Sequence, residues 1–343
     1  MRANVLTDWK TLEMREVPDP RPGPGQALME VVYAGICGSD VTVFNHHHPT
    51  ATVPRVMCHE ILGVVREING GGPLPYRVGD RVAVFPLSHC GECDPCRDGN
   101  FHVCRNLRIL GLHLDGGFAD YVCAEVEKIF PVSGDIPDRV AILTEPLAVG
   151  FHANARAGTG PGDTALVVGA GPIGILCAMC AQYFGAAKVA LAEINPERIE
   201  LARSFGFEVI DANGEVTDAI AARTGGKGFD KVFEASGSPA GALLVASAAK
   251  IRGVIVPIGI PHGTLAYETG KIVLKELSVV GSRVHTLKHF GRSVEMMEHF
   301  YRRKTFDLER MIAAAYPLED LAEGIARQAS GRFNGKILVK VKK

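Results

Sequence analysis

Thr164-Ala165-Leu166-Val167-Val168-Gly169-Ala170-Gly171-Pro172-Ile173-Gly174 decides the architecture of this chain. The first five residues form a short apolar run of the kind that fills a buried strand. The next six match Gly-x-Gly-x-x-Gly, the dinucleotide fingerprint. Gly169 permits a tight turn, Gly171 lets a pyrophosphate approach the backbone, and Gly174 lets the following helix pack close to the sheet. Pro172 suits the first helical turn, and Ile173 lies where free N–H groups and the positive end of the helix dipole would face the phosphates. Alone the hexapeptide is a weak signal. Its place between a strand and a helix, Ile173–Phe184, is the required context.

Working outward, strands and helices alternate. Strands are expected at Lys188–Ala192, Glu208–Ile210, Lys231–Glu234, Val254–Ile258 and Leu277–Val280, and helices at Pro146–Ala157 and Pro196–Phe205. Such alternation predicts an α/β fold with a parallel sheet covered on both faces. Glu193 ends the next strand, about 20 residues past the fingerprint. A carboxylate there accepts hydrogen bonds from a ribose and repels a 2′-phosphate, which favours NAD over NADP. The competing reading is a solvated Glu at a strand end. Arg198 nearby could receive a phosphate, or be a surface charge.

Upstream, the first ~150 residues are rich in Val, Gly and Pro. Short apolar runs at Ala27–Tyr33, Gly63–Ile68, Arg81–Phe85 and Phe118–Cys123 are separated by turn clusters, which reads as β structure. The tail suggests helices at Phe290–Arg302 and Leu318–Ala329, then a strand at Gly335–Val341. A length of 343 residues suits about two domains. The net charge of −1, from 37 basic and 38 acidic residues, argues against a nucleic-acid or anionic-membrane partner. Ala165–Ala187 carries no charge and is long enough to span a bilayer. The glycines and proline at its start read instead as strand, turn and helix. Met1–Lys10 offers no apolar run for a signal peptide, so a soluble, cytoplasmic protein is expected.

Nine cysteines cannot all pair internally. Cys90, Cys93, Cys96 and Cys104 lie on one short loop, where four thiolates can close a tetrahedron around a structural zinc. Disulfides or an iron–sulfur cluster are the alternatives. His89 and His102 flank the loop as surplus groups. Cys37, His59 and Glu60 are chemically suitable ligands for a second metal, but their separation carries no spacing argument. A lone Cys is usually a small buried hydrophobe.

The whole chain resembles the zinc-dependent medium-chain dehydrogenases of the alcohol dehydrogenase superfamily. Within them it is most similar to the polyol branch of sorbitol, threonine and sugar-acid dehydrogenases. The likeness rests on Gly35–Asp40, His59-Glu60, the four-Cys loop, Gly79–Val82, Asp115–Tyr121, Glu145-Pro146-Leu147 and Gly169–Gly174, in that order along the chain. It implies a GroES-like, mainly β catalytic domain over 1–148 and 286–343, a Rossmann domain over 149–285, and a cleft between them. It implies two Zn2+ per chain, with the catalytic one on Cys37, His59 and Glu60. Glu145 would serve as direct ligand or through water; its alternative is a helix-cap carboxylate. Ser39 takes the relay position for the alcohol proton, unless it merely closes a turn. His113 and Arg283 become candidate substrate contacts, and either could be a surface residue.

The implied activity is NAD-dependent oxidation of a secondary alcohol in a polyol, sugar or sugar acid to a ketone. Alternatives are threonine or a simple alcohol as substrate, or a non-catalytic NAD-binding protein. A homotetramer or dimer is implied, with the Leu277–Val280 edge available for pairing. Two departures stand out. Thr42 occupies a position where the family commonly has His, which leaves water, Glu60 or one of His46, His47 and His48 for the relay. Cys58 replaces the usual Gly before His59, so its backbone must accept a Cβ.

Overall fold

The computed structural model describes every residue except His47, His262, Arg332 and Lys343. The chain divides into two units, Met1–Glu145 with Thr286–Lys343, and Pro146–His285.

In the second unit, six strands pair in the order Glu208–Asp211, Lys188–Glu193, Thr164–Val168, Phe229–Glu234, Ala249–Pro257, Ser278–Val279. Every pairing is parallel. The strand order reverses at Thr164–Val168, so the fingerprint lies at the topological switch point, outside the carboxyl ends of the strands. The charge-free stretch is a buried strand followed by the helix Pro172–Tyr183, whose residues Gly174–Ala181 are all buried. No described helix is long and apolar enough to cross a membrane. Leu166, Val168, Ala190, Ala192, Val232 and Ile255 form part of the core.

The first unit is built on a seven-stranded sheet. Its central strand, Gln26–Ile36, pairs antiparallel with Glu60–Asn69 on one side and with Lys336–Lys340 on the other. Registers Gly35↔Glu60 and Gly35↔Leu338 bring the start of the His59-Glu60 strand and the start of the C-terminal strand to the same end of the central one. The tail thus completes a sheet begun by the first 145 residues, burying Ile36, Ile61, Ile337 and Val339 in one core.

Several elements differ from the sequence expectation. The hairpin Arg2–Asp8/Thr11–Glu16 has an outer strand that is almost wholly exposed, so it carries no apolar alternation to read. The strand Ile312–Pro317 is Ala-rich and gains its form from parallel pairing with Lys336–Lys340. Ala249–Pro257 begins five residues earlier than Val254, through a polar stretch in which Arg252 has φ 60°. Leu318–Ala329 splits into a 3-10 turn, Leu318–Asp320, and a helix, Leu321–Ser330.

Candidate active site

Cys37 follows the central strand and caps the helix Gly38–Phe44 with extended backbone. Its N–H donates to Asp40 Oδ2 at 2.8 Å, which fixes the turn. The Gly35↔Glu60 register then sets His59-Glu60 against this turn. The Cys37 thiol sulfur, a His59 ring nitrogen and a Glu60 carboxylate oxygen all lie within 4.8 Å of one another. Glu60 is 1% exposed. Among the described residues, His59 Nδ1 and Glu60 Oε2 are buried with no hydrogen-bond partner.

Polar atoms left so are costly unless something else satisfies them. A thiol, an imidazole and a carboxylate converging with unsatisfied atoms fit a divalent transition-metal ion such as zinc. The electrostatics favour positive charge here. Burial pushes the His59 imidazole down, but Cys37, Glu145 and Asp40 outweigh it and hold the group well above its usual range. Burial likewise raises the Glu60 carboxyl, against the pull of Lys336 and with a further push from Glu145.

Glu145 lies in the first turn of the helix Thr144–Ala157. It is not one of the three groups brought within 4.8 Å, yet its charge acts on His59, Glu60 and Lys336. Ser39 Oγ is buried with no partner among the described residues, as a hydroxyl reserved for a ligand would be. Thr42 Oγ1 donates to the Gly38 carbonyl at 3.1 Å within its own helix.

Cys58 is fully buried at φ 86°, a left-handed conformation, with its Sγ 3.2 Å from the Glu60 carbonyl. His46 stacks on Trp9 with ring centroids 4.0 Å apart. His48 and His113 meet around Thr50, whose Oγ1 is 2.9 Å from His113 Nε2. His113 Nδ1 accepts from the Ile109 N–H. His47 lies outside the described residues. Arg283 is exposed on the second unit.

Sequence reasoning missed Lys336. Its ammonium is buried, 4% exposed, and donates to Glu60 Oε1 at 2.5 Å and to the Ile36 carbonyl at 3.0 Å. A lone Lys at a strand start gives no local signal; only the sheet register brings it to Glu60.

In the four-Cys loop, sulfur pairs are 3.4 to 3.8 Å apart. Tetrahedral zinc with Zn–S near 2.3 Å needs sulfurs roughly 3.8 Å apart, so the loop fits a structural zinc. The Cys90 and Asn106 N–H groups donate to Cys104 Sγ. Backbone donors from Glu92 and Cys93 bring the Cys90 thiol down to about 6. Arg105 clamps Asp94 from across the loop.

At the fingerprint, Gly169 has φ 99°. A Cβ on Gly174 would strike the Gly169 carbonyl oxygen at 1.9 Å, whereas a Cβ on Gly171 would meet nothing within 4 Å. That open face, at the N-terminus of Pro172–Tyr183, fits a pyrophosphate. Glu193 is buried and pinned. Its Oε2 accepts from the Ala170 N–H at 2.7 Å, and its Oε1 from the Ile194 and Asn195 N–H groups at 2.8 and 3.0 Å.

A doubly wound parallel-sheet unit and a mainly β unit carrying two thiol-containing clusters define an oxidoreductase of the alcohol dehydrogenase type. Residues 23–134 match the alcohol dehydrogenase GroES-like domain, and 172–299 match the zinc-binding dehydrogenase domain. The chain belongs to the zinc-binding dehydrogenase family. It is 33% identical to L-threonine 3-dehydrogenase of Rhizobium etli (strain CIAT 652), over 96% of this chain and 94% of that one. It is also 33% identical to L-galactonate-5-dehydrogenase of Escherichia coli (strain K12), over 97% and 94%. A crystal structure of a protein from Sinorhizobium meliloti 1021, bound to NADP, aligns with a TM-score of 0.91 at 29% identity over 99% of each chain.

Proposed function

We propose that this dehydrogenase oxidises a secondary alcohol of a polyol, sugar or sugar acid to a ketone, with NAD as hydride acceptor. The observation that carries the reading is the convergence of Cys37, His59 and Glu60 within 4.8 Å, with the Ser39 hydroxyl, two residues along from Cys37, buried and unpartnered among the described residues. Cys37, His59 and Glu60, with Glu145 acting directly or through water, would hold the catalytic zinc, and Cys90, Cys93, Cys96 and Cys104 the structural one. When bound, zinc lowers the pKa of a hydroxyl and the nicotinamide accepts a hydride. Ser39 Oγ takes the hydroxyl proton and passes it toward solvent. Thr42 has its own hydroxyl engaged, so the route runs through water, Glu60 or the histidine loop. His113 and Arg283 serve as substrate contacts. Arg283, with its planar guanidinium, suits a carboxylate.

Glu193 supports NAD over NADP. Three N–H donors hold its charge in place, so it cannot swing away from a 2′-phosphate without abandoning them. We place the protein in the cytoplasm, where its thiolates stay reduced, as a homo-oligomer pairing across the open Ser278–Val279 edge.

Threonine is the second reading, because a threonine and a galactonate enzyme are equally similar in sequence. A panel of polyols, aldonates, sugars and threonine, followed by NADH absorbance, tests the proposal. Turnover of a polyol or aldonate supports it. Turnover of threonine alone favours the second reading, and turnover of none refutes both.

A further inference from the structure

We propose that Lys336 is a positioning residue that divides the Glu60 carboxylate between its own ammonium and the Cys37–His59 metal site, and so sets how firmly that metal is held. The proposal rests on the metal reading given above.

Three observations build it. First, Lys336 is a buried cation whose hydrogen bonds go to the Ile36 carbonyl and to Glu60 Oε1. A buried ammonium is costly unless paired, so it is tied to that carboxylate. Second, the other oxygen, Oε2, has no partner among the described residues, and a Glu60 carboxylate oxygen lies within 4.8 Å of the Cys37 sulfur and a His59 ring nitrogen, close enough for one ion to be shared by all three. One carboxylate therefore faces two cationic sites with one oxygen committed. Third, the slot is built for this pose. A Cβ on Gly35 would lie 2.0 Å from Glu60 Oε2, so the central strand is cut away where the carboxylate stands.

The charges around Lys336 are those of Glu60, Cys37 and Glu145, all of which favour its charged form against burial. An ammonium bonded to a carboxylate withdraws charge from it and weakens it as a metal donor. Removing the ammonium leaves the site one unit more negative and leaves Glu60 with no competing partner. The metal is then held more tightly, and Glu60 is less free to leave it. A merely structural lysine has the opposite effect: its loss disorders Glu60 and loosens the metal.

The test uses the full-length zinc-loaded protein. Zinc per chain is counted, and release of the more labile zinc to a chromogenic chelator is timed. Lys336→Met should slow that release by at least about tenfold, the scale of partners that tune a metal ligand from outside its coordination sphere. Cobalt(II) in the same site should show an altered visible spectrum. Lys336→Arg should restore the wild-type rate. In a Glu60→Gln background, where no carboxylate is left to divide, Lys336→Met should change the release rate far less, by no more than the through-space loss of one positive charge. Lys336→Gln keeps a donor for Ile36 and removes only the charge, so it reads the same quantity if Lys336→Met does not fold. Unchanged or faster release in a protein holding two zinc ions overturns the proposal. A wild-type protein holding one zinc per chain refutes the metal reading itself.

Discussion

Replacing Gly35 by Ala probes the slot that admits Glu60. Gly35 lies in a regular strand with no positive φ, so the backbone accepts a Cβ without strain. In isolation the change should stabilise the strand by about 0.5–1 kcal/mol. The added atom, however, would lie 2.0 Å from Glu60 Oε2 and 3.0 Å from Glu60 Cβ. To restore van der Waals contact the carboxylate must retreat by roughly 1.4 Å. The pair with Lys336 Nζ, now 2.5 Å, does not survive that retreat inside a packed sheet. Separating a buried ion pair costs about 3–5 kcal/mol. The net loss is then about 2–4 kcal/mol, or a fall in Tm of about 5–15 °C for a unit of this size. Gly38→Ala is the control: its Cβ would meet nothing within 4 Å. Thermal unfolding and zinc content are the assays. Gly35→Ala should lose stability and the labile zinc but keep the four-Cys zinc, while Gly38→Ala keeps both. A Gly35→Ala protein with wild-type Tm and two zinc ions would refute the slot and the ion-pair argument together.

Cys58 at φ 86° tests backbone strain against packing. Cys58→Gly removes strain of about 1–3 kcal/mol and loses a buried side chain of similar worth, so urea unfolding should place it within about 1 kcal/mol of wild type. Cys58→Val, a β-branched residue packed against Gly111, Gly116 and Gly117, should lose about 3 kcal/mol or more; a neutral result contradicts the strained-backbone reading. Glu193→Ala strips the acceptor from the Ala170, Ile194 and Asn195 N–H groups. Reduced-cofactor fluorescence should show NADH binding weakened by about tenfold or more and the NADH/NADPH preference reduced. An unchanged ratio would remove Glu193 from ribose recognition.

The second unit was legible because its determinants are local. Strands buried on both faces read as unbroken apolar runs, and the glycines that shape the phosphate turn fall within six residues. The four-Cys loop was legible for the same reason. Glu193 was found by its place after the fingerprint, but its backbone bonds were not, since they depend on where the turn at Ala170 folds back. The exposed Thr11–Glu16 strand and the Ala-rich Ile312–Pro317 strand left no period to read, because their form comes from their partners.

The candidate metal site shows why a family likeness was needed there. Cys37 and His59 carry no mutual spacing signal; they meet because Gly35 pairs with Glu60 across a sheet. Lys336 is 276 residues from Glu60 in sequence and reaches it only because the last strand pairs with Gln26–Ile36, the same strand that pairs with Glu60 on its other side. A residue placed by register rather than by motif is also one that substitution can retune without touching a ligand. The ligand set fixes which metal can bind. On the proposed reading, the register partners, Gly35 by leaving room and Lys336 by sharing charge, set how tightly it stays.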